Sequence, residues 1–326
     1  MKSFEELYNE FNNDEEINKI GQEVVEEVNK RKKVTAILCI IFSAILIYVL
    51  YKYQLSNFTK NIHSQMALLP AVMMIVVPTM MLNVIIMVIT TSIYSKKQRK
   101  FLPIFKEKVI KKMIDNFLDN MEYFPNKQMP QKIYKEGQYE DYDNYYSDDY
   151  IEAKLGGKYL IELAEVTTEE EREERDSDGN TRTVTHTLFD GLFAKIILDK
   201  SINSKLRIAQ GYSGFLKNPD KLEMDSSEFE KAFNVYASDK IIGMQILTAD
   251  IMDEILEFKN KTKEEFDIYI SEDKLYLRFH CGHLFEPHFK KKNILDEKSL
   301  KSYYDILNFT CELTNKIIKV VNEVEI

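Results

Sequence analysis

The chain has 326 residues, of which 44 are Lys or Arg and 53 are Asp or Glu, giving a formal net charge of -9. With 44% hydrophobic residues, the composition excludes a wholly disordered or collagen-like chain, and the length predicts about two folded units. The net acidity argues against nucleic-acid binding, because proteins that neutralise phosphates carry clustered Lys and Arg. The cysteines are too few and too widely spaced for a disulfide framework, which favours a reducing compartment: Cys39, Cys281 and Cys311.

Two segments in the N-terminal third of the chain contain no charged residue. The first covers residues 34–51 and the second covers residues 66–94. A helix rises about 1.5 Å per residue, so both segments are long enough to cross the roughly 30 Å hydrocarbon layer of a bilayer. We therefore predict a transmembrane hairpin at residues 34–95, with spans at about 34–53 and 67–94.

Basic residues flank this hairpin at its two outer ends. Residues 30–33 are all Lys or Arg, and residues 96–100 are similarly basic. In the connector 52–65, the only Lys or Arg residues are Lys52 and Lys60. The positive-inside rule then predicts a multi-pass protein of the cell membrane with both termini in the cytoplasm.

Two residues of the second span stand out from its apolar sequence. Pro78 lacks a backbone donor and should kink the helix. Asn83 is expected to hydrogen-bond between helices, and the alternative is a place in an ion or substrate path.

The residues outside the hairpin divide into four cytoplasmic parts. Apolar side chains of residues 1–33 recur at intervals of three and four, which predicts an amphipathic helix that needs a partner surface. Residues 96–124 repeat this pattern as a basic juxtamembrane helix, and residues 125–150 are an acidic, tyrosine-rich linker. Residues 151–326 are predicted to form an α+β domain with a mainly antiparallel sheet and a long C-terminal helix.

Turn residues and period-two alternation organise this α+β domain. Asp178-Gly179 predicts one hairpin turn. Alternating apolar residues at 266–270 and 275–279 predict a second hairpin around Glu272-Asp273, with one buried face. Residues 296–324 have the spacing of an amphipathic helix that lies across the sheet.

Lysines of the juxtamembrane helix are candidates for binding lipid head groups. A basic cluster near an anionic membrane surface gains about 1 kcal/mol per charge. The competing interpretation is that these charges only fix the topology. The candidates are Lys106, Lys108, Lys111 and Lys112.

One segment is rich in residue types that bind metals, and it contains His280, Cys281 and His283, with His288 close behind. If the preceding strand continues through it, adjacent side chains point to opposite faces, so His280 and Cys281 cannot converge on one ion. We therefore expect no metal and no cofactor, and the three histidines are the only candidate ligands.

The sequence contains no phosphate-binding glycine loop and no nucleophile-elbow motif. The spacing of Glu165, Glu223, Asp225 and Asp239 does not favour acid–base work over roles in turns and helix caps. The leading hypothesis is a non-enzymatic, membrane-anchored module that binds a protein partner or a lipid head group. The bilayer is a further partner, and a second copy of the chain is another candidate. The alternative is a membrane-bound enzyme with a carboxylate/histidine site around Asp225, Asp239 and the loop 280–288.

Several short motifs in the second half of the chain resemble a bacterial membrane-protein family that is catalogued only as a domain of unknown function. The motifs, in chain order, are residues 145–151, Glu165-Val166, Asp178-Gly179, and residues 187–193, 222–225, 229–236, 246–248 and 284–287. The resemblance implies two N-terminal spans followed by a cytoplasmic α+β domain. It implies no activity, cofactor or catalytic residue.

Two of these motifs receive a structural interpretation. The first predicts a close approach of two backbones between buried rings, and it consists of Phe189, Gly191 and Phe193. The second predicts a fixed turn after the last strand, and it consists of Phe285, Glu286 and Pro287. The candidate ligands His280, His283 and His288 lie outside the motif pattern.

Overall fold

The computed structural model describes residues 1–58, 68–94, 96–175, 179, 181–210, 220–287 and 294–323. The chain divides into two compact units. One comprises Met1–Glu10, Lys106–Glu286 and Glu297–Ile326, and it holds the sheet. The other comprises Phe11–Phe105 and Pro287–Asp296, and its described elements are helical. The α+β class predicted from the sequence is confirmed.

Four helices open the chain: α1 (Phe4–Asn13), α2 (Glu15–Phe58), α3 (Leu68–Tyr94) and α4 (Lys96–Phe105). Within α2, the segment Glu15–Val49 is long and apolar enough to cross a membrane. Within α3, the apolar part Val76–Ser92 is shorter, as counted over the residues that are described.

Polar side chains join α2 to α3. Thr35 Oγ1 donates a hydrogen bond to Thr90 Oγ1 at 2.8 Å, and Ser43 Oγ donates to Asn83 Oδ1 at 3.1 Å. The expectation that Asn83 bonds between helices is confirmed by this contact.

The helical segment after α4 is shorter than predicted. A π-helix at Lys106–Ile110 leads into α5 (Lys111–Asp115), and Asp119–Phe124 then form strand β1 rather than a continued helix. The strand forms because its backbone finds a partner, since Tyr123 pairs with Ile151 and Phe124 pairs with Tyr150. Apolar spacing alone could not reveal that partner.

Seven antiparallel strands form one sheet within the described residues. After β1 come β2 (Asn144–Leu155), β3 (Tyr159–Arg175), β4 (Thr181–Ala209), β5 (Asp220–Leu222), β6 (Asn234–Ala237) and β7 (Glu265–His280). The strand order is β1-β2-β3-β4-β6-β5, and β7 pairs with β4. The pairing of Arg175 with Thr181 confirms the first predicted hairpin, and Gly179 in its turn has a φ of 85°.

The second predicted hairpin is wrong. Residues 265–280 form a single strand that pairs with β4 from Leu192↔Phe279 to Ala209↔Asp267. Glu272 has a φ of 55° and lies where the register shifts, so the apolar side chains change from even to odd positions without a reversal of the chain. The residue pattern was therefore that of a bulge within one strand.

Helices cover one face of the sheet. The ring of Phe258 in α9 (Ala249–Thr262) stacks on that of Phe309 in α10 (Glu297–Glu323) at 4.0 Å. Phe266 and Phe279 of β7 pack against Phe258 at 5.2 Å and 5.7 Å. The long terminal helix therefore lies across the sheet, as its spacing predicted. The shorter helices α7 (Ser227–Ala232) and α8 (Lys240–Ile246) flank β6 along the chain.

The opposite face of the sheet is covered by residues 125–143, which we call the strap. The strap contains α6 (Gln131–Glu136), and its Tyr134 ring lies 5.1 Å from that of Phe193. Arg278 of β7 holds Glu140 of the strap at 2.7 Å. Both faces of β7 are therefore buried, and residues 125–150 are not a linker, because their second part is the start of β2.

Candidate functional site

Four ionisable side chains meet on the helix-covered face of the sheet, and we call them the acid–histidine site: Asp148, Glu165, Asp190 and His283. Strand pairing explains the meeting of the carboxylates. Asp148 lies opposite Glu165 in the β2–β3 pair, and Asp190 lies opposite Thr167 in the β3–β4 pair. Glu165 and Thr167 are two residues apart on β3, so their side chains point to the same face. His283 comes from the loop that follows β7.

A bulge in β2 turns two successive carboxylates toward this region. The register of β2 against β3 shifts between Asp148 and Ile151, and Asp149 has a φ of 52°. In a regular strand, adjacent side chains alternate between faces, whereas a bulge changes the direction of one of them. Asp148 and Asp149 can therefore both contribute to clusters with the loop after β7.

Glu165 is the most deeply buried member of the site, with 1% of the residue exposed. Its Oε1 accepts hydrogen bonds from the backbone N–H of Leu284 at 2.6 Å and of Phe285 at 2.9 Å. Its Oε2 lies 3.0 Å from His283 Nδ1. The carboxylate is thus fixed on one side by two amides and presents its other oxygen to the imidazole.

His283 lies among three carboxylates. Its Nδ1 is 3.9 Å from Asp148 Oδ1, and its Nε2 is 3.3 Å from Asp190 Oδ1. The hydrogen bond with Glu165 raises the pKa of His283 to about 9, although burial acts in the opposite direction. The side chains of Asp148, Asp190 and His283 are each 43% exposed, so solvent and small ions reach the site.

A second group of charges, which we call the Lys106 cluster, lies beside this site. Lys106 Nζ is 2.7 Å from Asp149 Oδ2 and 2.9 Å from Glu286 Oε1, and the hydroxyl of Tyr123 donates to Asp149 Oδ1. Burial acts to lower the pKa of Lys106, but the hydrogen bonds and charges of Asp149 and Glu286 together outweigh it and raise the pKa above its usual value. Burial raises the pKa of Asp149 above the usual aspartate range, and the hydrogen bond with Lys106 opposes this shift.

The four lysines proposed for lipid binding occupy different environments. Lys106 has only 6% of its side chain exposed and is held by carboxylates, so it offers no charge to a head group. Lys111 pairs with Glu107 at 2.6 Å and Lys112 pairs with Glu10 at 2.6 Å, both at exposed positions. The head-group hypothesis therefore rests on the three remaining lysines: Lys108, Lys111 and Lys112.

The candidate metal ligands do not gather as a histidine cluster. The ring of His280 lies 4.9 Å from that of Phe189 on the strap-covered face, whereas His283 lies beside Glu165. His288 lies outside the described residues. The alternation of side chains along the strand predicts the separation of His280 from its neighbours, whereas nothing in the local sequence indicates that His283 meets carboxylates from other strands.

The motif of Phe189, Gly191 and Phe193 lies on β4, where the strand packs against β7. A Cβ atom added to Gly191 would lie 1.9 Å from the backbone oxygen of Phe279, so the two backbones approach closely at this glycine. Phe189 and Phe193 are buried, and both rings lie near Tyr134.

The turn after β7 places its residues at the two charge clusters. Phe285 is fully buried with its ring 4.7 Å from that of Tyr303, and Glu286 joins the Lys106 cluster. Pro287, which follows them, is also buried. The turn therefore supplies both a core side chain and a charged one.

The spacing of Glu165 in the sequence does not favour acid–base work over a role in a turn or cap, yet this residue is central to the site. By contrast, Asp239 does cap a helix, because its Oδ1 accepts from the N–H groups of Ile241 and Ile242 at the start of α8. The sequence does mark these segments, because members of the acid–histidine site and the Lys106 cluster lie in the motifs that resemble the family. The motifs concerned are residues 145–151, 165–166, 187–193 and 284–287.

Comparisons with known proteins give little functional information. No curated protein matches the chain. Among solved structures, the chain is similar to the crystal structure of the mycobacterial trehalose monomycolate transport factor A, TtfA, at 8% identity and a TM-score of 0.33. That alignment covers 58% of this chain and 88% of the other. Residues 187–319, from the first third of β4 to α10, match the family described as "Protein of unknown function (DUF3137)", which confirms the resemblance to a family of unknown function.

Proposed function

We propose that this protein is a membrane-anchored binding module, in which α2 and α3 both cross the bilayer and the sheet-containing unit lies in the cytoplasm. The observation that carries the proposal is the apolar outer surface of the two helices. Ile40 is 70% exposed and Met80 is 65% exposed. Similar side chains surround them, including Ile45, Tyr48, Val84, Met87 and Val88.

This surface is unfavourable in water, where it costs about 25 cal/mol for each Å² of apolar area. In the hydrocarbon layer that cost disappears. The polar groups of these helices meet each other, as in the contact between Ser43 and Asn83, which is the usual arrangement between membrane helices. The basic residues at 30–33 and 96–100 support an orientation with both termini inside.

Site-directed labelling tests the topology. Single cysteines replace Ser3, Ser56 or Ser302 in a background without Cys39, Cys281 and Cys311, and intact cells are treated with an impermeant maleimide. We expect labelling only at position 56 on intact cells, labelling of position 3 as well after the cells are opened, and labelling of position 302 once the chain is also denatured. Labelling of position 302 on intact cells would contradict the proposed orientation.

The proposed binding role is supported by an apolar pair on α8. Ile241 is 71% exposed and Met244 is 48% exposed, and their spacing of three residues places them on one side of the helix. An exposed pair of this kind is suited to the centre of a protein contact. A protein partner that presents an apolar groove is the occupant we propose.

Photo-crosslinking from this pair tests the binding role. A photoreactive residue replaces Ile241 in one variant and the exposed Lys231 of α7 in a matched control, and both are irradiated in native membranes. We expect a discrete adduct from position 241 that is absent from position 231. An adduct of twice the chain mass would identify a second copy as the partner. Equal adducts from both positions, or none, would count against a contact at α8.

A second candidate function is catalysis, and the observation that favours it is the solvent-accessible imidazole of His283 between carboxylates. Such a group transfers protons when its pKa suits the reaction. A screen of the purified chain against chromogenic esters and phosphate esters tests this alternative. Turnover that His283→Gln abolishes would support an enzyme, whereas turnover that survives the change would exclude His283 as its source.

A further inference from the structure

We propose that Asp148, Glu165 and His283 bind one divalent transition-metal ion, and that Asp190 holds His283 in position. This inference goes beyond the binding role and the membrane anchor. Each of the three residues offers a ligand atom, and these atoms all lie within 4.8 Å of one another. Ligands at the usual distance of about 2.1 Å from a metal are separated by up to twice that distance, so a small adjustment brings all three to one ion.

The histidine has the support that metal-binding histidines require. Such a histidine usually donates its second N–H to a carboxylate, which fixes the ring and increases its basicity. Here Nδ1 faces Glu165 and Asp148, while Nε2 lies 3.3 Å from Asp190 Oδ1. Asp190 is itself held, because it accepts a hydrogen bond from Thr167 Oγ1 at 3.1 Å.

Glu165 is fixed in a comparable way. Two backbone N–H groups bind its Oε1, so that Oε2 is the oxygen left for the site. Those N–H groups belong to Leu284 and Phe285, which follow His283 directly. One short loop therefore supplies the imidazole and also orients the carboxylate, so both ligands are placed before an ion arrives.

Asp148 supplies an oxygen that accepts no hydrogen bond among the described residues. This oxygen, Oδ1, is buried, and it points toward His283 Nδ1 at 3.9 Å. An unsatisfied buried polar atom costs about 1–3 kcal/mol. Coordination to a cation would remove this cost.

The neighbouring carboxylates are not equivalent to this set. Asp148, Asp149 and Glu286 also lie within reach of one another. However, the ammonium group of Lys106 already contacts Asp149 and Glu286. That positive charge would repel a cation, so the structure assigns one ion to the acid–histidine site and none to the Lys106 cluster.

The donor atoms indicate the class of metal. Imidazole nitrogen favours zinc, iron, copper and nickel, whereas a site of carboxylates alone would favour magnesium, calcium or manganese. A mixed set of one nitrogen and two oxygens fits zinc well, and three protein ligands leave a coordination position open for water or an anionic group. Zinc is therefore the probe for the test, and manganese is the comparison.

The test measures zinc binding to the full chain, purified without a histidine tag in detergent and treated with a chelator. We expect about one zinc ion per chain by calorimetry, with tighter binding of zinc than of manganese. Asp190→Asn should weaken zinc binding about 10-fold, because it removes only the support of the ring. Asp148→Asn, Glu165→Gln and His283→Gln should each weaken it further.

His186→Gln is the matched control, because His186 is a partly exposed histidine of β4 whose ion-pair partner is Glu174 and not a residue of the site. It should leave the zinc affinity unchanged. Near-ultraviolet circular dichroism of the metal-free variants shows whether each one is folded, and a variant that is folded but binds as tightly as the wild type would overturn the assignment of that ligand. Failure of the wild type to bind zinc stoichiometrically would overturn the site and leave an internal ion pair only.

Discussion

Lys106 Nζ lies 2.7 Å from Asp149 Oδ2, and the two side chains are buried, with 6% and 0% exposure. The pair joins the π-helix after α4 to the bulge in β2, and Glu286 extends it to the turn after β7. Three segments that are distant in sequence therefore depend on one ammonium group. Removing that group would leave the buried carboxylate of Asp149 without a counter-charge.

We expect Lys106→Met to lower the free energy of unfolding by about 3 kcal/mol, because it breaks a buried ion pair from one side. Lys111→Met is the matched control, since Lys111 pairs with Glu107 at an exposed position and should contribute no more than about 0.5 kcal/mol. Thermal unfolding of the detergent-solubilised chain measures both. Equal effects of the two changes would show that burial of the first pair has no energetic consequence.

The start of the folded sheet-containing unit can be located with fragments. We expect residues 106–326 to unfold cooperatively in the absence of detergent. Residues 125–326 should be markedly less stable, because they lack β1 and leave Asp149 without Lys106 and Tyr123. Circular dichroism during heating compares the two fragments. If both have the same transition temperature, neither β1 nor the Lys106 cluster stabilises the sheet.

Gly191→Ala should destabilise the protein by about 3 kcal/mol or more, because the new methyl group would lie 1.9 Å from the backbone oxygen of Phe279 and force the two strands apart. Gly21→Ala is the control. Its methyl group would meet Ile294 Cδ1 at 3.6 Å, an ordinary contact, and alanine favours a helix by about 0.5–1 kcal/mol. Chemical denaturation should therefore shift in opposite directions for the two variants.

His280 should make stability depend on pH. Burial and the charge of Arg278 lower its pKa, and this effect exceeds the opposing influence of Asp267, Glu265 and Glu140. The unfolded chain therefore takes up the proton more readily than the folded chain. The stability associated with neutral His280 is complete above about pH 6.5 and is lost as the pH falls through the folded pKa.

Transition temperatures at pH 8 and pH 5.5 test this expectation. The wild type should lose more stability over that interval than His280→Gln does, since glutamine cannot be protonated. His186→Gln, at a partly exposed position, should behave as the wild type. An identical loss in all three proteins would mean that His280 does not contribute to the acid sensitivity.

Patterns within one segment were the most predictable features. The charge-free residues 34–51 fall within helix α2, residues 68–94 of the second charge-free segment form α3, and residues 297–323 of the amphipathic segment form α10, while residues 66, 67 and 324 lie outside the described part of the chain. The helical state of these segments was predictable because a helix satisfies its own backbone hydrogen bonds within a single stretch of sequence.

Features that depend on distant partners were not predictable. At Glu272 the apolar side chains change from even to odd positions, which fits a hairpin turn as well as a bulge. Only the pairing with β4 distinguishes the two. Glu165 and His283 lie 118 residues apart, so no local spacing reveals their contact. The family-like motifs marked the segments involved, but they carried no information on which side chains would meet.

The strap has a consequence for synthesis on the ribosome. Arg278 binds Glu140, and its guanidinium lies 4.1 Å from the ring centre of Tyr139. Arg278 follows Glu140 by 138 residues in the chain. At about 5–20 residues per second, the strap leaves the ribosome roughly 7–28 s before the strand that secures it. Its tyrosines would be exposed to aggregation during that interval. Charged residues beside such a segment oppose aggregation, and the strap carries four acidic ones among its tyrosines: Glu136, Glu140, Asp141 and Asp143.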